Sequence, residues 1–172
     1  MQLGNPADPQ PRWLENPDTG AMTLNESHGE HPILSDPRVR QAIGYGVDRS
    51  ALINRVLVGQ GVPLYADQLP SLTWAYNPDL EPYAYDPTRA AALLDEAGWV
   101  LNESTGIRAQ EGRPLRLSLR TNNSSETRIE IGEMVKEQLA VLGFDIQFEA
   151  MEWGAFVGLV LDSARHEATI VN

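Results

Sequence analysis

The sequence predicts an α/β fold, and three consecutive features carry that expectation. Leu115, Leu117 and Leu119 alternate with Arg116, Ser118 and Arg120, the period of a strand with one buried face. Ile131, Val135, Leu139 and Leu142 then keep helical spacing up to Gly143, which suits the left-handed end of a helix. Phe144, Ile146, Phe148 and Ala150 alternate with Asp145, Gln147 and Glu149 as a second one-sided strand. Strand, helix and strand in succession make a βαβ unit, whose parallel crossover is right-handed in nearly all proteins. Asn123 and Glu126 stand at capping-box spacing ahead of the helix.

The remaining elements follow in chain order. Residues 1–20 contain Pro6, Pro9, Pro11 and Pro17 without apolar periodicity, and read as an extended leader or linker. Residues 21–172 form the folded part, opening with a short strand at Ala21 to Asn25 and a polar loop over 26–35. Asp36-Pro37 has the chemistry of a helix start, an acceptor for a free N–H followed by a residue with none to satisfy. Val39, Ala42, Ile43 and Val47 give that helix its apolar side. Asp48 caps a second helix, with Leu52, Ile53, Val56 and Leu57 as its stripe and Gly59 and Gly61 as its stop. Residues 62–85 hold four prolines and five aromatics, a long loop packed by its own side chains or used for function. Asp86-Pro87 repeats the helix start, ahead of Ala90, Ala91, Leu93, Leu94, Ala97 and the terminating Gly98. A helix over Trp153 to Leu161 and a strand at Ala168 to Val171 complete the prediction.

Composition narrows the function. The chain has 172 residues with Lys+Arg 13 against Asp+Glu 24, a net charge of −11, which opposes nucleic-acid and anionic-lipid binding. It has no cysteine, so disulfides, thiolate metal centres and a cysteine nucleophile are excluded. No apolar run reaches the length of a membrane span. The first residues lack a signal-peptide pattern, leaving a cytosolic protein or a piece of a longer secreted chain. The sequence carries no Gly-x-Ser-x-Gly elbow, phosphate loop or Gly-x-Gly-x-x-Gly turn, and no enzymatic activity is expected. His28 and His31 have Glu30 between them, but Gly29 and Pro32 break any shared helix face, so neither a metal site nor a cofactor is expected. Asp95-Glu96 reads as a solvated helix face, and Arg38, Arg40 and Arg49 as partners of local acids.

Two motif series resemble the solute-binding proteins of bacterial ABC importers for dipeptides, oligopeptides and nickel (family 5). The first runs Asp36-Pro37-Arg38-Val39-Arg40-Gln41-Ala42-Ile43, then Val47-Asp48-Arg49, then Val56-Leu57-Val58-Gly59. The second runs Tyr85-Asp86-Pro87, then Ala91-Ala92-Leu93-Leu94-Asp95-Glu96-Ala97-Gly98-Trp99. Gly112-Arg113-Pro114-Leu115 into a strand, then Leu142-Gly143-Phe144-Asp145-Ile146 and Trp153, extend the similarity over about Thr23 to Asn172. The resemblance implies one lobe of a periplasmic-binding-protein-like (type II) fold, the C-terminal ligand-closing lobe, with a mixed sheet and a βαβ unit flanked by helices. It also implies capture of a peptide or related small solute for an ABC permease, in the periplasm or outside the cell, together with the remaining lobe of the same parent chain. The family's amine-anchoring aspartate is expected beyond Asn172. The rival readings are a stand-alone sensor or interaction domain derived from the lobe, and a hydrolase on the same scaffold.

Ligands of open α/β sheets sit beyond the carboxyl ends of the parallel strands. That places Asn122, with donors and an acceptor suited to a peptide backbone, and Trp153, a large apolar face with one N–H, among the substrate-binding candidates. Asn123 reads as a helix cap, and a buried core position is the competing role for Trp153. Trp74 and Tyr76 are candidates from the long loop, with pinning that loop to the domain as the simpler alternative. Asn25, at the end of the first strand, is a candidate by the family resemblance, against a plain turn role.

Overall fold

The computed structural model describes residues 22–24, 31–64, 71–77, 79, 82–159 and 168–170. In chain order the elements are β1 (Met22–Leu24), α1 (Pro37–Gly46), α2 (Arg49–Val56), α3 (Pro87–Glu96), β2 (Val100–Leu101), β3 (Arg108–Gln110), β4 (Arg113–Pro114), β5 (Arg116–Asn122), α4 (Glu126–Val141), β6 (Asp145–Met151), α5 (Trp153–Val157) and β7 (Ala168–Ile170). Residues 1–20 lie outside the described residues.

Aspartates start the first three helices as their sequence contexts predict. Asp36 accepts the Arg38 N–H at 2.8 Å, Asp48 that of Ala51 at 2.9 Å, and Asp86 that of Arg89 at 2.8 Å. The long helix α4 begins later than the capping-box spacing suggests. Its cap is Ser125, whose Oγ accepts the Arg128 N–H at 3.4 Å. Asn123 lies two residues ahead of that cap, where its N–H donates to the Met151 carbonyl at 2.7 Å and prolongs the strand pairing.

The main sheet has the order β1-β7-β5-β6. β5 pairs in parallel with β6, from Arg116↔Asp145 to Asn122↔Met151, and also with β7. β1 pairs antiparallel to β7, which makes the sheet mixed. Leu117, Leu119 and Thr121 share a face with Ile146, Phe148 and Ala150, and α4 packs on both strands. This is the predicted βαβ unit. The core extends from it to Val39, Ala42 and Ile43 of α1 and to Leu93, Leu94 and Trp99 at and beyond α3. On the opposite face Arg116 meets Asp145 at 2.6 Å and Arg120 meets Glu149 at 3.6 Å.

Two expectations need correction. The stretch 26–35 is not uniformly a polar loop, because Ile33 and Leu34 are buried in the core. His31 Nδ1 accepts the N–H groups of Ile33 (3.2 Å) and Leu34 (2.9 Å), so the turn satisfies its own buried backbone. The second concerns a small antiparallel sheet, β2-β3-β4, which the hydrophobic pattern does not reveal. Its strands are two or three residues long, too short to show a period. The turn joining β3 and β4 places Glu111 (φ 51°) and Gly112 (φ 81°) in left-handed conformations, the backbone of a tight hairpin. The helix expected over Trp153 to Leu161 is seen as α5 through Val157, and Leu161 lies outside the described residues.

Arg108, only 5% exposed, joins the small sheet to the rest. Its guanidinium donates to the Leu142 carbonyl (2.9 Å), the Trp99 carbonyl (2.5 Å) and Asp95 Oδ1 (2.5 Å). Asp95 is therefore the exposed partner of a buried cation, not merely part of a wet helix face. Arg38 does pair with a local acid, Asp36, at 2.6 Å. Arg40 donates to the carbonyls of Leu34 (2.6 Å) and Ser35 (3.0 Å), and Arg49 to that of Gly44 (3.0 Å).

Two stability outcomes are expected. Arg108→Met strands the buried carbonyls of Trp99 and Leu142, and should lower unfolding stability by about 3 kcal/mol in urea titrations. Gly132→Ala places a Cβ 2.2 Å from Phe148 Cε2 in the α4–β6 interface. Overpacking there should cost ~1–3 kcal/mol despite alanine's better helix propensity, read as a lower denaturation midpoint.

Candidate functional site

The paired strands β5 and β6 end side by side, with Asn122 in register with Met151. Asn122 is 2% exposed. Its Nδ2 donates to Ser124 Oγ and its Oδ1 accepts from Arg128 Nη1, so both ends of the amide are engaged. The chain leaving β6 turns at once into α5. Glu152 caps that helix, its Oε2 accepting the N–H of Gly154 at 2.7 Å and of Ala155 at 3.2 Å. Those two backbone donors hold its carboxyl below the ordinary carboxylate range.

Trp153 stands directly after this cap and is 56% exposed. Its ring stacks on buried Phe156 with centroids 6.0 Å apart and planes inclined by 28°. The core role is thus excluded for Trp153: one side of the indole is supported and the other faces solvent. Trp74 is 86% exposed and does not pin the long loop. The loop is held instead near its end, where Tyr83 meets Tyr45 edge-on at 5.0 Å and the Asp86 N–H donates to the Tyr45 carbonyl at 2.9 Å. Tyr76 is half-buried, in a turn where the N–H groups of Ala75 and Tyr76 both donate to the Leu72 carbonyl at 2.9 Å.

The structure therefore brings two of the five candidates, Asn122 and Trp153, onto one rim. Among the described residues no hydrogen bond or ring contact joins the Trp74 or Tyr76 side chain to that rim. Asn25 lies outside the described residues. Sequence reasoning missed Arg128, Ser124 and Glu152. Glu152 was detectable as an acceptor two residues ahead of Gly154, whereas the Arg128–Asn122 pairing spans a strand end and a helix turn and has no sequence signature. Among the described residues no group of three or more histidine or acidic side chains is arranged to hold a metal ion, and no helix is long and apolar enough to cross a membrane.

A mixed sheet whose parallel strands β5 and β6 end beside an exposed indole defines an α/β lobe, and the carboxyl ends of parallel strands are where such folds place ligands. The comparisons give that class its family. The family model for bacterial extracellular solute-binding proteins, family 5 (Middle), matches residues 5–169, and the chain belongs to this family. It is 32% identical over 130 residues to the oligopeptide-binding protein AppA of Bacillus subtilis, covering 74% of this chain and 24% of that protein. It is 35% identical over 144 residues to the dipeptide-binding protein of Escherichia coli, covering 84% of this chain and 25% of the relative. Among solved structures, AppA in complex with a nonapeptide superposes with a TM-score of 0.78 at 29% identity, covering 87% of this chain and 30% of that one. NikA of Brucella suis in complex with Fe(III)-EDTA gives 0.77 at 32% identity, covering 86% and 29%. The fold is thus that of part of a type II periplasmic-binding-protein-like lobe, and the chain spans about a quarter of the length of the curated relatives.

The caps make a pH prediction. Asp36 is held low chiefly by its side-chain bond to Arg38, and Glu152 by its two backbone donors. A depressed carboxyl stabilises the fold above its unfolded pKa, near 4, and that contribution is lost as pH falls through the lower folded value. In denaturation midpoints taken from about pH 7 down to about pH 2, wild type should exceed Asp36→Asn and Glu152→Gln at the neutral end and converge with them at the acid end.

Proposed function

We propose that this chain is part of the ligand-capturing lobe of a solute-binding protein that takes up a peptide or related small solute and delivers it to an ABC import permease. Residues 21–172 supply the partial lobe, and residues 1–20 lead into it. The ligand lies between this lobe and the remainder of the parent chain, in the periplasm or outside the cell. The role is capture, with no bond made or broken and no cofactor. The observation that carries the reading is Trp153, an indole half in solvent at the carboxyl end of β6, backed by Phe156. Support comes from family membership and from relatives named for oligopeptide, dipeptide and nickel binding. Trp153 supplies apolar area, Asn122 belongs to the rim beneath it, and Trp74, Tyr76 and Asn25 contribute from their own segments. A ligand touching both halves only when they close shifts the open–closed balance toward the closed form that the permease reads.

Calorimetry of the full-length product against a peptide library should give binding heat, and mass spectrometry of the purified protein should identify a co-purifying peptide. Absence of heat with any peptide, sugar or metal chelate overturns the reading and favours a sensor or interaction domain. Trp153→Ala should weaken peptide binding about tenfold or more, as truncating a central aromatic anchor does, with a smaller change in unfolding midpoint.

A further inference from the structure

A buried asparagine whose amide is engaged at both ends meets a ligand only by giving up those partners. Asn122 is in this position, bonded to Ser124 on one side and Arg128 on the other. The two bonds tie the last residue of β5, the turn that follows and the first turns of α4 into one corner. The same corner is fastened to β6, through the Asn122↔Met151 register and the Asn123 N–H to the Met151 carbonyl at 2.7 Å. Met151 is followed directly by Glu152, which caps α5, and by Trp153. A second route runs through α5 itself, which packs against β5. Whatever fixes Asn122 therefore fixes where β6 exits and where the indole stands.

We propose that Asn122 is a positioning residue for the binding rim: through Arg128 and Ser124 it locks the β5–α4 corner that sets the Trp153 indole, and it does not itself contact the ligand. The proposal rests on the capture reading and specifies how the same site is built. Leucine at 122 has a similar size but no polar atoms, so it removes both bonds. Aspartate keeps an acceptor for the Arg128 guanidinium and can accept the Ser124 hydroxyl proton.

The test uses the full-length product as wild type, Asn122→Leu, Asn122→Asp, Trp153→Ala and the double variant Asn122→Leu/Trp153→Ala. The Trp153 indole N–H resonance is assigned with Trp153→Phe, and affinity is read by calorimetry with a tripeptide library. Asn122→Leu should shift the indole resonance and weaken binding about tenfold, while Asn122→Asp stays close to wild type in both. With Trp153 removed, Asn122→Leu should cost little further affinity, because its effect passes through that ring. Fully additive losses mean that Asn122 touches the ligand directly and overturn the proposal, as does an unmoved indole resonance. Should Asn122→Leu fail to fold, Ser124→Ala removes one of the two bonds from an exposed hydroxyl and serves the same readouts. Wild type that binds no peptide sinks the capture reading, whereas the indole resonance still decides whether Asn122 positions Trp153.

Discussion

The fold is organised around one buried cation. Arg108 lies where α3 and α4 finish, and helix C-termini carry partial negative charge and carbonyls without helical donors. Its guanidinium supplies a donor to the Leu142 carbonyl at the end of α4 and another to the Trp99 carbonyl just beyond α3, while its own N–H donates to the Gly143 carbonyl at 2.8 Å and its carbonyl accepts from Leu115 at 2.7 Å. Asp145 N–H then donates to the Leu115 carbonyl at 2.8 Å, so the starts of β5 and β6 are hung from the same residue. Gly143 completes the arrangement. Its φ is +91°, and a Cβ there would meet Arg108 Cγ at 2.7 Å, so both backbone and space demand glycine. A planar group donating in several directions does this; the single ammonium of lysine cannot reproduce the fork.

From that anchored start the two strands run in parallel for seven residues each and end together. Parallel sheets are usually dry on both faces. Here, among the described residues of β5 and β6, the Leu117–Leu119 face is dry, while the other carries Arg116, Arg120, Asp145 and Glu149 in cross-strand pairs. Such pairs add little stability when exposed, and the register that brings Asn122 opposite Met151 is specified by the buried face, where Leu117 and Leu119 stand beside Ile146 and Phe148. A rim built on strand ends is more precisely placed than one built on a loop, and the register sets which residues meet there.

The parts of this architecture that rest on period and punctuation were legible in the sequence. The leucine alternation of β5, the helical stripe of α4 and the Asp-Pro starts of α1 and α3 each record a local rule, and the motif order pointed to the right family. What was not legible depends on contacts distant in sequence. Arg108 carries no local signal, because its partners Asp95, Trp99 and Leu142 are contributed by other segments. Ile33 and Leu34 were lost among polar neighbours, since a single turn buries them without any repeat. Asn123 has a capping residue's chemistry, yet the strand pairing runs on past it and the helix starts only after Ser125. At the rim, residue type identified Trp153 as a large apolar surface, but only tertiary packing shows which side of the ring is free.

The two exposed tryptophans among the described residues illustrate why packing, and not exposure alone, decides what an aromatic can contribute. Binding must offset the entropy of ordering each side chain it uses. Trp153 stacks on a buried ring, follows a capped helix start and stands on a strand end held by Asn123, so much of its ordering is already complete before any solute arrives. Trp74 is more exposed, and the turn beneath it is held by two backbone bonds to a single carbonyl. An equal apolar area from each would therefore yield unequal affinity, with Trp153 the stronger anchor.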